Sequence, residues 1–256
     1  MDQDEHRWRF LAQSVTGASH AAAELPCQDS HAVAVVGEGD AAALVACVAD
    51  GAGSAPHSDQ GSAIACESLL ASAQRHYAEA GSFAELDEPT VVAWVAEARQ
   101  NVARRAEELA CDPRDLATTI CAAVVGPERA VFFQLGDGAM VVSRQGVHGV
   151  VFWPQSGEYA NTTNFLTADK FEQKLEFAVA PGRIEELALM TDGLERLALQ
   201  FDARTPHLPF FAPLFKAIVS DQDEETLAAD LATFLRSPAI ESRSHDDKTL
   251  VLATRN

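Results

Sequence analysis

Apolar and polar positions change rhythm several times along the chain, and each change predicts an element. Residues 8–15, 31–36 and 42–49 read as short strands, the last an unbroken apolar run from Ala42 to Ala49. The rhythm then lengthens to a helical period. Ala63, Cys66, Leu70, Ala73 and Tyr77 fall on one face of a first helix, and Val91, Val95, Ala98, Val102 and Leu109 on one face of a second, with Glu97, Arg104 and Glu108 facing out. Asp112-Pro113 ends that helix or opens the next turn. Strands resume at 117–125, 130–135, 139–143 and 147–153, and a polar, irregular stretch fills 154–170. Strands at 175–180 and 186–191, helical stretches near 208–219 and 223–236, and a closing strand from Thr249 to Ala253 complete the pattern. No repeat, linker or low-complexity segment divides it. One domain over residues 1–256 is expected, a layered α/β (α+β) arrangement with helices outside the sheets.

Composition adds exclusions. Hydrophobic residues make up 47% and charged residues 22% of 256, the balance of a globular domain able to bury one sizeable core. No apolar run reaches the ~20 residues that span a bilayer. The acidic start Met1-Asp2-Gln3-Asp4-Glu5-His6 lacks the basic and apolar regions of a secretory leader, so a cytoplasmic location without membrane attachment is expected. The five cysteines are odd in number and contain no Cys-x-x-Cys pair, which suggests neither a disulfide framework nor a zinc knuckle. Cys47, Cys66 and Cys121 read as small core residues, whereas Cys27 stands next to a candidate acid. A formal net charge of −19 argues against a nucleic-acid backbone as partner. Clustered carboxylates repel one another, and a bound divalent cation relieves that repulsion.

Five aspartates punctuate the strands. Asp29 precedes the strand at 31–36; Asp50, Asp137 and Asp192 follow apolar strands; Asp246, with Asp247 beside it, precedes the last one. Strand ends in a packed sheet are fixed points, so carboxylates placed there can converge with little freedom to drift. Three of the five occur as Asp-Gly, the common hairpin signal, and for Asp137, flanked by strands of similar length, a hairpin is the expected reading. Hard cations such as magnesium and manganese take oxygen ligands. Two of them ~3.5–4 Å apart need a bridging carboxylate and turn an intervening water into a nucleophile. Gly51, lacking a side chain, could bring its carbonyl close to such an ion.

The ordered set Cys27-Gln28-Asp29, Asp50-Gly51-Ala52-Gly53, Ala117-Thr118-Thr119, Gly136-Asp137-Gly138, Thr191-Asp192-Gly193-Leu194 and Asp246-Asp247-Lys248-Thr249 resembles the type 2C protein phosphatases, in particular their compact bacterial branch, over roughly residues 14–253. The resemblance implies a central antiparallel β-sandwich with helices on both faces and hydrolysis of phosphoserine or phosphothreonine by a metal-bridging hydroxide. It also implies two or three divalent cations, manganese or magnesium. By position, Asp50 would bridge two metals, the Gly51 carbonyl would bind one, Asp192 and Asp246 would complete the first site, Asp29 would hold the second, and Asp137 would recruit a third. Thr118 and Thr119 would support the strand beneath. Phosphoproteins, with a paired serine/threonine kinase, would be the partners of a monomer.

Two departures stand out. Gln28 replaces the acid that usually precedes the first motif aspartate, and no arginine stands between Arg9 and Asp29 to grip phosphate. His20 is the nearest polar candidate for that role, with Gln28 beside the site, while Ala52 occupies the place of a histidine that serves some relatives as general acid. The segment at about 150–172, with Trp153, Tyr159 and Phe165, corresponds to the family's flap; it either shapes substrate choice or simply packs its aromatics on the sandwich. A phosphatase-like binding module without turnover, and a hydrolase of small phosphoesters, remain the alternative readings.

Overall fold

The computed structural model describes residues 8–155 and 163–255. In chain order its elements are β1 (Trp8–Val15), α1 (Ala18–Ala22), β2 (Ser30–Val36), β3 (Ala43–Ala49), α2 (Ser58–Ala80), α3 (Glu88–Leu109), β4 (Ile120–Val125), β5 (Arg129–Leu135), β6 (Ala139–Arg144), β7 (Val147–Val150), β8 (Glu176–Pro181), β9 (Glu186–Met190), α4 (Glu195–Ala198), β10 (Leu199–Gln200), β11 (Thr205–Pro206), α5 (Leu208–Ile218), α6 (Glu224–Leu235), α7 (Pro238–Glu241) and β12 (Lys248–Arg255). Two five-stranded sheets form, in the orders β1-β12-β9-β6-β7 and β2-β3-β4-β5-β8, and β10 pairs with β11 apart from them. Every pairing within the two large sheets is antiparallel.

The unbroken apolar run of β3 now has a cause. Successive side chains of a strand point to opposite faces. Leu44, Ala46 and Val48 enter the layer between the two sheets with Phe132, Met140, Leu189 and Val251. Ala43, Val45, Cys47 and Ala49 face the other way, into a second layer under α2 and α3. β9 and β12 are divided in the same manner, Leu187, Leu189, Val251 and Ala253 facing the sandwich interior, and Ala188, Met190, Leu250 and Leu252 facing α5 and α6. Three apolar layers therefore separate four layers of structure, helices–sheet–sheet–helices, as the family resemblance implied. No helix among the described residues is long and apolar enough to cross a membrane.

Several expectations need correcting. Asp137-Gly138 is not a hairpin: β5 pairs with β4 and β8, whereas β6 pairs with β7 and β9, so this turn carries the chain from one sheet to the other. Gly136 makes that corner possible, with φ +114 and no room for a side chain, whose first carbon would lie 2.5 Å from Thr119 Cγ2. The strand expected at 117–125 begins only at Ile120, because Thr118 and Thr119 are spent on the Asp50 corner. The one at 147–153 stops at Val150, after which Trp153 packs edge-on against Phe201 with ring centroids 5.3 Å apart. The buried face of α2 is turned from the expected one: Ser62, Ala65, Leu69 and Ser72 line it with Cys66 and Ala73, while Ala63 and Leu70 are only half-buried. Small residues there allow close packing, and a side chain at Gly61 would begin 2.1 Å from the Leu116 carbonyl oxygen. Glu97 turns toward α2, where Arg75 donates to it at 2.5 Å. Helix α1 escaped the apolar pattern because none of its residues is buried.

Phe132 is the largest side chain wholly enclosed between the sheets. Its replacement by Ala is expected to cost about 3–5 kcal/mol. Urea unfolding followed by far-UV circular dichroism should show a lower midpoint with an unchanged slope.

Candidate active site

Antiparallel pairing brings the starts of β2, β4, β6 and β12 and the ends of β3, β5 and β9 to one edge of the sandwich, as the register shows: Ser30 lies opposite Ala49, Ile120 opposite Leu135, and Ala139 opposite Met190. Asp29, Asp50, Asp137, Asp192 and Asp246 sit at those ends. Asp29 and Asp50 belong to one sheet, Asp192 and Asp246 to the other, and Asp137 to the corner between them.

Hydrogen bonds hold four of the five acids. The Asp50 N–H donates to Thr119 Oγ1 (3.0 Å), and its carbonyl accepts from Thr118 Oγ1 (2.9 Å) and the Thr119 N–H (2.8 Å). This is the supporting role expected of the two threonines. Gly51 is clamped as tightly: its N–H donates to the Gln28 carbonyl at 3.1 Å, and a side chain would begin 2.6 Å from that same oxygen. Packing of backbone on backbone therefore already demands glycine here. Thr191 Oγ1 donates to Asp29 Oδ2 (2.7 Å), Thr163 Oγ1 to Asp137 Oδ2 (2.6 Å), and the Lys248 ammonium to the Asp246 carbonyl (2.7 Å).

The carboxylates are close enough to disturb one another. Burial pushes Asp29 up to about 8, assisted by repulsion from Asp247 and Asp192 and opposed by the bond from Thr191. Burial also lifts Asp50 well above the ordinary range, with Asp29 and Asp192 adding to it. Asp192 is raised to about 6 by burial, then by Asp137 and Asp246, and Asp137 is raised by burial and by Asp246. Asp50 and Asp192 perturb each other, which adds to the pull of burial toward the protonated form of Asp50. No lysine or arginine among the described residues ion-pairs with any of the five. Nor do three or more acidic, histidine or cysteine side chains among them close around a single point.

An all-oxygen set of acids, Asp29 buried, Asp50, Asp137 and Asp192 half-buried and Asp246 exposed, mutually repelling and without a lysine or arginine partner among the described residues, has the donor chemistry of a site for hard divalent cations. Cys27 does not contribute a nucleophile, since burial and then Asp29 and Asp247 push its thiol up to about 12. The flap segment leans on the site. Thr163 reaches Asp137, the Leu166 N–H donates to the Thr118 carbonyl at 2.8 Å, and Phe165 packs over Ala52, Ala55 and Ala117. Tyr159 lies outside the described residues.

Three groups escaped the sequence reading. Glu195, raised to about 7 by burial and then by Asp192 and Asp137, follows Asp192 by one turn, and that spacing was the available signal. Thr163 carried none. Asp247 was visible only as the neighbour of Asp246. Adjacent residues at a strand's start face opposite ways, so an exposed Asp246 implies a buried Asp247 needing partners of its own. Those partners are the N–H groups of Gly17 (2.7 Å) and Gln28 (2.6 Å), and His20, whose Nδ1 lies 2.9 Å from Oδ2. Both His20 and Gln28 are thus brought to the site edge.

Known proteins are similar to this chain in sequence and in fold. A profile of the family described as Protein phosphatase 2C matches residues 16–236. Over 249 residues the chain is 34% identical to serine/threonine-protein phosphatase 3 of Escherichia coli (strain K12), covering 96% of this chain and 98% of that one. Among solved structures, the S. agalactiae serine/threonine phosphatase superimposes with a TM-score of 0.60 at 15% identity, covering 98% of this chain and 100% of that one. Pseudomonas aeruginosa PppA, described as a key regulatory component of T6SS, does so with a TM-score of 0.61 at 18% identity, over 97% and 98%. At such identities the two structures attest the shared fold. The chain belongs to the type 2C protein phosphatase family.

Crowded carboxylates have a cost that depends on pH. With Asp29 at about 8 in the folded chain against an ordinary 3.8, the folded state keeps a proton that the unfolded chain releases. That contribution to stability is fully present below pH ~4 and is lost as pH rises through ~8; Asp192, at about 6, adds to the loss over its lower part. In chelator, the urea midpoint of the native protein is expected to fall between pH 5 and pH 8 by more than that of Asp29→Asn. Equal falls would contradict the assignment.

Proposed function

We propose that this chain is a metal-dependent serine/threonine protein phosphatase acting on phosphoproteins in the cytoplasm. The observation that carries the reading is the meeting of five aspartates from both sheets at one edge, with no lysine or arginine to neutralise them among the described residues. Asp50 would bridge two cations and the Gly51 carbonyl would bind one of them; Asp192 and Asp246 would complete the first site, Asp29 would serve the second, and Asp137 a third. Bound manganese or magnesium supplies an acidified water and neutralises phosphoryl charge.

The chain's own residues do the rest. Asp50, locked by Thr118 and Thr119, holds the centre of the site still. Asp29 and Asp192, whose carboxyls burial raises, hold protons that a cation bound beside them would displace. Phe165 keeps water from the side of the Asp50–Gly53 loop. His20 and Gln28 face the incoming phosphoryl group where other family members place an arginine and an acid. Each of the five cysteines is a free thiol, which suits a reducing compartment. The name of the E. coli relative supports serine and threonine phosphoesters as the substrate class. A serine/threonine kinase would supply such substrates, and the chain would act as a monomer.

Phosphate release from a phosphothreonine peptide is expected to require manganese, to stop in chelator, and to fall about 100-fold or more in Asp192→Asn. Manganese should also raise the melting temperature of the native protein, and less so that of Asp50→Asn. Metal binding without any release would turn the reading toward a phosphoprotein-binding module, and release from a nucleotide in preference to the peptide toward a small-phosphoester hydrolase.

A further inference from the structure

The corner before β12 points two neighbouring carboxylates in opposite directions, Asp246 outward and Asp247 into the protein at 2% exposure. Asp247 is held from two sides, by the Gly17 N–H on Oδ1 and by the Gln28 N–H on Oδ2. The same Oδ2 faces His20 Nδ1 in an ion-pair contact rather than an aligned hydrogen bond. Helix α1, which carries His20, is itself pinned to this corner by the bond from the Ser19 N–H to the His245 carbonyl at 3.0 Å. Gly17 has no space for a side chain, since its first carbon would lie 2.2 Å from the Asp246 carbonyl carbon. The imidazole therefore sits 2.9 Å from a carboxylate that is itself held in place.

With Nδ1 against Asp247, the ring turns Nε2 to its far side. A side chain begun at Gly53 would put its first carbon 3.9 Å from His20 Nε2 and 4.0 Å from Gln28 Oε1. These two polar atoms thus border one notch beside the loop that carries Asp50. Gln28 is only 4% exposed, yet its Oε1 has no hydrogen-bond partner. A buried acceptor left bare costs about 1–3 kcal/mol, a cost that is recovered when a ligand brings a donor. A phosphopeptide offers both halves of the match: phosphoryl oxygens for an imidazolium Nε2–H, and a backbone N–H for the amide oxygen.

Resting on the phosphatase reading, we propose that Asp247 is a positioning residue that aims His20 Nε2 at a phosphoryl oxygen of the substrate, while Gln28 Oε1 accepts from the peptide N–H beside it. The charge-assisted bond from His20 takes the place of the missing arginine. Asp247 touches no substrate and acts only through the imidazole.

A double-mutant cycle on the manganese-loaded enzyme tests this. His20→Ala and Asp247→Asn are each expected to lower kcat/KM for a phosphothreonine peptide about 10–100-fold, and the double variant should be no worse than His20→Ala alone. Binding of inorganic phosphate, read by calorimetry, should weaken in His20→Ala while manganese affinity and melting temperature stay unchanged. Imidazole 15N NMR of the phosphate-bound native protein should show both Nδ1 and Nε2 of His20 protonated, and a larger share of rings protonated at only one nitrogen in Asp247→Asn. Multiplying effects in the double variant, or unchanged kcat/KM and phosphate affinity in His20→Ala, would overturn the dyad and leave the phosphatase standing. A native protein that releases no phosphate would instead remove the phosphatase reading. If Asp247→Asn fails to fold, His20→Ala and its phosphate affinity decide the matter alone.

Discussion

Repulsion among gathered carboxylates is the constraint around which this molecule is built. Like charges crowded at one half-buried edge would push the sheets apart unless the backbone beneath them were held by something stronger than the charges themselves. The restraint comes from short-range contacts. Thr118 and Thr119 grip both polar groups of Asp50, Thr191 reaches Asp29, and buried Lys248 holds the Asp246 carbonyl while pairing with Glu241 at 2.9 Å. None of these contacts neutralises the acids, so their charge stays available to a ligand.

Three glycines near the acids serve the same end. Gly17, Gly51 and Gly193 each press against the backbone of a neighbouring site segment, and at Gly193 a side chain would begin 2.0 Å from the Asp247 carbonyl oxygen. Segments far apart in sequence are stacked peptide on peptide, with no intervening side chain to let them slide. The precision of the site is thus a property of its main chain, and the side chains inherit it.

Much of this was legible beforehand. Long runs such as Ala42–Ala49 and the periodic face of α3 announced themselves because burial on one or two faces imposes a pattern. The acids at strand ends were visible for the same reason: each interrupts an apolar run. Asp137 was misread because Asp-Gly reports a turn, not which sheet the chain enters next; only pairing partners distant in sequence decide that. The face of α2 was misread because its serines are buried by close packing rather than by hydrophobicity. Asp247, Thr163 and α1 act through contacts that local pattern does not encode.

Because Asp50 closes a strand of one sheet and Asp192 a strand of the other, with Asp137 at the hinge between, the site straddles the seam of the sandwich. Whatever binds the acids from both sides fastens that seam at its open end. A ligand that binds the acids from both sides stabilises the two sheets in the arrangement that binds it, so affinity and the seam of the sandwich are linked in free energy.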